Sequence, residues 1–337
     1  MPPEMATLPR LENVLKSNDV EDLVNRYVHR TLAYLFVKSV FRTPITPNMI
    51  TLSTIFLGFA AGCAFIWGTP TAMLFGGAGL WAAAILDGAD GILARAKNLQ
   101  SEFGRALDGS ADGLVAFFTV FPAFYHIWVT RHNPYDLFLM VPALGLTIVH
   151  LAIYDFYKES YLRATRPGQG GEGRDADQIA ETVQAARSQG PITQMAINHV
   201  LVPHLNRQKA LINWLNPDGW RLSQLLDGDR QASEIYRKHN LGPMRLWALV
   251  SSAPHSYLMA ICAMFDRLEL YLYIRVFLMN GVFLVALIWQ RYATCRTIED
   301  LGEGDTRELS GARQSIPTLE CCHANVNLPH RREGFAT

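Results

Sequence analysis

Residues 71–131 read TAMLFGGAGLWAAAILDGADGILARAKNLQSEFGRALDGSADGLVAFFTVFPAFYHIWVTR, and this stretch decides the fold. Two apolar runs flank a short polar segment that carries Asp87, Asp90, Asp108 and Asp112. About 20 apolar residues are enough for a helix to cross the hydrocarbon core of a bilayer. The pattern predicts a helical hairpin, with the chain crossing, turning and returning beside itself. The carboxylates then collect at one end of the pair. Acidic side chains at a bilayer boundary are costly unless something compensates them. Divalent metal holding a phosphorylated substrate is the compensation this reading expects.

Working outward, further apolar runs of similar length give six spans, starting near Met49, Thr71, Gly109, Tyr135, Leu241 and Leu270. Half of the 337 residues are hydrophobic and the formal net charge is zero. The expected fold class is all-α: a polytopic six-transmembrane-helix bundle plus an N-terminal interfacial amphipathic helix. Nothing in this balance points to a nucleic-acid partner. The short connections 68–70, 131–134 and 266–269 alternate with a side rich in basic residues. That side holds His29, Arg30, Lys38, Arg42, Arg95, Lys97, Arg105, Lys158, Arg163, Arg166, Arg291 and Arg296. By the positive-inside rule both termini and the aspartates face the cytoplasm, with Arg131 and Arg267 dissenting. Residues 1–16 lack the apolar stretch of a signal peptide. The five cysteines, Cys63, Cys262, Cys295, Cys321 and Cys322, are expected as reduced thiols, and Cys321-Cys322-His323 reads as inert tail in preference to a metal site or a lipid attachment point.

Residues 1–18 read as a poorly ordered tail and 19–42 as the interfacial helix. In that helix Val20, Leu23, Val24, Tyr27, Val28, Leu32 and Leu35 recur at helical spacing among Arg26, His29 and Arg30. Two prolines in Thr43-Pro44-Ile45-Thr46-Pro47-Asn48 break it. The membrane core with spans 1–4 occupies 43–157, and a cytoplasmic insertion occupies 158–240. Within the insertion lie a glycine-rich linker over 167–174, a short helix over 175–188 and an amphipathic helix over 192–215 kinked at Pro203. Spans 5–6 take 241–293, and 294–337 is a polar, mobile tail.

Asp87 and Asp90 are three apart, Asp108 and Asp112 four apart, so each pair shares a helix face. Oxygen-only ligands suit Mg²⁺ or Mn²⁺ rather than zinc. Four carboxylates could bridge two ions about 3.5–4 Å apart, a separation suited to phosphoryl displacement. Arg95 is placed to meet phosphate oxygens bidentately. Gly88, Ala89, Gly91, Ala94, Gly104, Gly109, Ser110, Ala111 and Gly113 remove bulk where helices and a nucleotide approach closely.

The spacing D-x2-D-G-x2-A-R-x8-G-x3-D-x3-D is filled by Asp87, Asp90, Gly91, Ala94, Arg95, Gly104, Asp108 and Asp112. It resembles the signature of the CDP-alcohol phosphotransferase family at every fixed position. The resemblance implies a six-helix core that breaks a CDP-linked phosphoanhydride: an alcohol attacks, a phosphodiester forms and CMP leaves. It further implies Asp87, Asp90, Asp108 and Asp112 as metal ligands and Asp112 as general base. Gly91 and Arg95 are implied at the nucleotide, and Ser101 at the CDP group. Thr46-Pro47-Asn48-Met49-Ile50-Thr51 is similar to the family's TPNxxT start of the first span, and implicates Asn48 and Thr51 near the diphosphate. A homodimer is expected by the same similarity.

The favoured direction takes CDP-diacylglycerol as donor and a water-soluble alcohol as acceptor, within phospholipid synthesis. In the alternative, a soluble CDP-alcohol donates its phosphoalcohol to a lipid or polyol. A reading of another class is a membrane cation transporter, which predicts acids near mid-bilayer and no need for Arg95 or Gly91. Among the remaining polar residues, His126, His150 and His255 are expected to be interhelical hydrogen-bond partners. Arg245 either contacts an acceptor phosphate or snorkels, Arg275 snorkels, and Asp155, Lys158 and Arg163 are candidates for the acceptor side.

Overall fold

Two threonine–proline pairs start the first two long helices. The hydroxyls of Thr46 and Thr69 accept hydrogen bonds from the backbone N–H groups of Met49 (3.4 Å) and Ala72 (3.3 Å), with Pro47 and Pro70 just inside. Proline fits there because its missing N–H would have no helical partner anyway. The structure, a computed structural model, describes residues 19–165, 202–225 and 230–308. Among these the elements are helical, with no strand. A π-helical turn Asn25–His29 leads into α1 (Arg30–Val40). Then come α2 (Pro47–Trp67), α3 (Pro70–Ala96), α4 (Glu102–Arg131), α5 (Pro134–Thr165), α6 (Val202–Leu215), α7 (Pro217–Leu225) and α8 (Arg230–Trp247). The last are α9 (Ser252–Met264), α10 (Leu268–Tyr273) and α11 (Met279–Glu308).

Six helical segments are long and apolar enough to cross a membrane: Pro47–Trp67, Pro70–Ala96, Leu107–Arg131, Pro134–Thr165, Arg230–Met264 and Leu268–Gly302. The all-α, six-span expectation holds. The last two are interrupted. A 3₁₀ turn Ala248–Val250 joins α8 to α9, and a π-helical turn Ile274–Leu278 joins α10 to α11. The linker 167–174, the short helix over 175–188 and the Cys321-Cys322-His323 cluster lie outside the described residues. α11 carries on to Glu308, so the stretch expected as mobile tail after Thr294 begins as helix. Its buried Thr294 and Thr297 receive hydrogen bonds from Asn216 and Asn240, both at 3.0 Å, which tie this end to α8 and the α6–α7 turn.

Backbone proximity makes the bundle tight. A Cβ built on Gly62 of α2 would fall 1.9 Å from the Phe118 carbonyl oxygen of α4, and one on Gly77 of α3 would fall 2.6 Å from the Ala260 oxygen of α9. Small residues at such crossings let helices approach where lipid offers no hydrophobic drive. Phe65, Met73, Leu80, Ile127 and Ala260 fill the core between these helices. A second core joins Tyr157, Tyr161, Tyr236, Trp247 and Ala286 of α5, α8 and α11.

The N-terminal segment turns its faces the opposite way from a soluble amphipathic helix. Leu23 (69% exposed) and Tyr27 (62%) point outward, while Asp22 (4%) and His29 (2%) are buried. Ala33, Val37 and Val40 pack α1 on α3. Outward apolar side chains suit an acyl-chain surrounding, and the inward polar face borders the aspartates.

At the bundle end away from the aspartates, polar groups pair among themselves. Arg131 Nε donates to Asp136 at 2.8 Å, Tyr273 donates to the same carboxylate at 2.6 Å, and Arg131 and Arg267 each lie 3.5 Å from Glu269. The arginines that dissent from the charge bias are therefore ion-paired. His126 bridges the Phe65 carbonyl and Asp266 at 3.2 Å each, the interhelical role expected of it. His150 meets Asn280 at 3.0 Å and His255 meets Tyr271 at 3.4 Å, again between helices. Arg275 does not snorkel. It is buried and donates to the hydroxyls of Thr147 and Tyr271, because the π-helical turn rotates it into the bundle.

Candidate active site

α3 brings Asp87 and Asp90 to one face of its C-terminal half, and α4 starts close by and brings Asp108 and Asp112 back. The turn between them is fixed locally. Ser101 caps α4 by accepting from the Gly104 N–H at 3.0 Å. Lys97 Nζ donates to the Thr43 and Ile45 carbonyls, both at 2.9 Å, which binds the end of α3 to the start of α2.

The four carboxylates form one electrostatic group. Those of Asp87 and Asp112 are within hydrogen-bonding reach of each other, and Asp108 acts on Asp87, Asp90 and Asp112. Asp90 is the deepest, 5% exposed, and its Oδ2 accepts from Thr51 Oγ1 at 2.6 Å. That hydroxyl also lies 3.2 Å from the Pro47 carbonyl. It has one hydrogen, and the charged acceptor at the shorter distance takes it. Asp108 and Asp112 are exposed.

Arg95 reaches back over Gly91. A Cβ there would stand 3.3 Å from Arg95 Nη1, and the guanidinium feels both Asp90 and Asp108. Asn48 approaches Gly104, whose hypothetical Cβ would lie 3.4 Å from the Asn48 Oδ1. The sequence-predicted residues Asn48, Thr51, Asp87, Asp90, Gly91, Arg95, Ser101, Asp108 and Asp112 thus come to one end of the α2–α3–α4 unit. Ser101 has a structural duty there as a helix cap. A Cβ added at Gly109 or Gly113 would meet nothing within 4 Å, so these two glycines do not serve helix packing. On the facing wall, Asp155 and Lys158 of α5 act electrostatically on Asp112. Arg245 is exposed.

Two residues were not singled out by the sequence. Arg30 of α1 lies against Gly88 and acts on Asp87, and Glu21 holds its guanidinium at 2.6 Å. Both lie far before the aspartates in the sequence, and no fixed spacing connects them. Burial lowers and Glu21 raises the Arg30 pKa, and the balance is upward, so the cation is secure.

The donor chemistry fits a hard divalent cation: oxygen ligands on facing helices, with one ligand already oriented by a hydroxyl. Among the described residues, no three acidic or histidine side chains are drawn together into a finished cation cage. Asp87, Asp90, Asp108 and Asp112 are the side chains that would hold an ion.

The family model for CDP-alcohol phosphatidyltransferases matches residues 44–195, which include the whole aspartate pattern and the Thr46–Thr51 segment. No curated protein sequence matches the chain.

Proposed function

We propose, on the premise that residues 44–195 belong to the CDP-alcohol phosphatidyltransferase family, that this membrane protein moves a phosphatidyl group from CDP-diacylglycerol to the hydroxyl of a water-soluble alcohol and releases CMP. Membership supports transfer of a substituted phosphate to an alcohol acceptor, and the family uses divalent metals. The observation that carries the reading is the joining of Asp87, Asp90, Asp108 and Asp112 at one end of a six-span bundle, with Arg95 beside them.

Mg²⁺ or Mn²⁺, as two ions, would supply neutralisation of the diphosphate and an activated acceptor hydroxyl. The chain's own residues do the remainder. Thr51 fixes the Asp90 carboxylate. Arg95, seated where Gly91 has no side chain, would meet phosphate oxygens, and Asn48 and Ser101, both beside Gly104, would border the nucleotide. Asp112 would take the acceptor proton, late in the displacement, as the general base. The basic flanks support placing the site and both termini on the cytoplasmic side. Membrane lipid surrounds the bundle, and a homodimer is part of the proposal.

The experiment is CMP release by purified protein given Mg²⁺ or Mn²⁺, CDP-diacylglycerol and a panel of alcohols, with soluble CDP-alcohols as exchanged donors. CMP with the lipid donor supports the stated direction, and CMP only with soluble donors reverses it. No CMP with any CDP-linked donor ends the transferase reading.

A further inference from the structure

We propose that Arg30, carried by the N-terminal helix outside the matched 44–195 segment, is a second guanidinium of the donor site, a positioning residue for the diphosphate of the CDP-linked substrate. The inference rests on the transferase reading above. Its geometry comes from how one planar fork is divided. Nε of Arg30 donates to Glu21 Oε1 and Oε2 at 3.1 and 3.2 Å, and Nη2 donates to Oε1 at 2.6 Å. Glu21 therefore holds one edge of the guanidinium. Nη1 is turned the other way, 3.3 Å from where a Cβ of Gly88 would stand, next to Asp87.

Any side chain at position 88 would crowd this seat. Gly88 does for Arg30 what Gly91 does for Arg95, where the hypothetical Cβ also meets Nη1 at 3.3 Å. The two cations are near enough to repel each other, and Glu21 acts on both. Two like charges seated against Gly88 and Gly91, one turn apart on α3, and acting on Asp87, Asp90 and Asp108, match a ligand with two anionic groups in tandem. A nucleoside diphosphate ester has that form, and a guanidinium can meet two of its oxygens at once.

A competing account is that Glu21–Arg30 only fastens the N-terminal segment to the bundle. The two accounts differ in symmetry. Fastening loses the same ion pair whichever partner is changed, whereas donor positioning needs the cation and not the carboxylate. The full-length protein is purified with Mn²⁺ as wild type, Arg30→Gln, Arg30→Lys and Glu21→Gln. Each is measured for CDP binding by calorimetry, for donor and acceptor KM by CMP release, and for thermal stability.

A charge-assisted contact of about 1.5–3 kcal/mol corresponds to at least about tenfold in affinity. Arg30→Gln is expected to weaken CDP binding and raise donor KM by that factor, with acceptor KM unchanged. Arg30→Lys recovers part of the loss, and Glu21→Gln lowers the melting temperature while keeping most of the CDP affinity. Matched donor defects in Arg30→Gln and Glu21→Gln, or wild-type CDP binding by Arg30→Gln, overturn the proposal. If Arg30→Gln does not fold, Arg30→Lys decides: a donor defect no larger than that of Glu21→Gln overturns it. Wild-type protein that neither binds CDP nor releases CMP counts against the transferase reading itself, which separates the two failures.

Discussion

Replacing Thr51 by valine removes one hydroxyl and little volume from a position 3% exposed. The lost contact is the 2.6 Å hydrogen bond to Asp90 Oδ2, a carboxylate itself 5% exposed. Water has little access to replace it. A hydrogen bond to a charged group contributes about 1.5–3 kcal/mol. At about 1.4 kcal/mol per tenfold, that corresponds to roughly 10- to 150-fold in binding. The loss falls on whatever depends on the direction of the Asp90 carboxylate, which on the proposed function is a cation. Loss of a group that orients a metal ligand typically lowers affinity about 10- to 100-fold, which agrees. The assay is CMP release against a Mn²⁺ titration. Thr51→Val is expected to raise half-saturating Mn²⁺ about 10- to 100-fold, with turnover recovered at saturating metal, and Thr51→Ser to restore most of the difference. A Thr51→Val titration curve superimposed on the wild type would refute the reasoning.

Gly62→Ala drives a methyl group into the Phe118 carbonyl of a backbone that cannot retreat, so it should cost about 1–3 kcal/mol or more and lower the melting temperature in detergent. Gly145→Ala, with nothing within 4 Å, should be neutral or stabilising by the same measurement. Burial, then the Arg30 charge, holds the His29 pKa below its ordinary 6.5. The unfolded chain therefore takes up that proton first, and stability is complete above about pH 6.5 and falls as the pH drops below it. Burial raises the Asp22 pKa and acts with the opposite sign from 3.8 upward, so the informative quantity is the difference between proteins. His29→Phe keeps a ring against Trp81 and Tyr257 and loses no hydrogen bond at Nε2, which has no partner; its melting temperature should fall less than the wild type's between pH 7 and 5.5. Asp112→Asn should abolish most turnover while CDP binding persists, and near-normal turnover with metal bound would remove Asp112 from the proton-accepting role.

The spans and the aspartate cluster were legible because their signals are local: apolar length in one case, i/i+3 and i/i+4 carboxylates in the other. What escaped depends on rotation and long-range contact. Arg275 reads as a lone cation near a span end, and only the π-helical turn over Ile274–Leu278 directs it into the bundle. Glu21 and Arg30 lie more than 50 residues before Asp87, and they look like ordinary charges on an interfacial helix until the polar face is seen to point inward. Periodicity located that helix but could not say which face meets lipid. The glycines divide the same way. Gly62 and Gly77 join backbones, Gly88 and Gly91 seat guanidinium groups, and Gly109 and Gly113 stand open, a division that residue type alone does not reveal.

The two polar ends of the bundle have different charge balances, and the contrast bears on function. At one end Arg131 and Arg267 face Asp136 and Glu269, cation for carboxylate, and Tyr273 completes the bonding of Asp136. Such a cluster is satisfied by the chain alone and needs nothing further to hold α4, α5 and α10 together. At the other end Asp87, Asp90, Asp108 and Asp112 face the guanidiniums of Arg30 and Arg95, and Glu21 already occupies one edge of Arg30. Like charges gathered in a medium of low dielectric repel one another, and among the described residues the cations acting on these carboxylates, Arg30, Arg95 and Lys158, are fewer than the acids. Structural polar glue would favour the first arrangement and select against the second. On the proposed function, the balancing positive charge would come from cations bound together with the donor's diphosphate. Arg30 and Arg95 would then meet the two anionic groups of that diphosphate, one guanidinium for each.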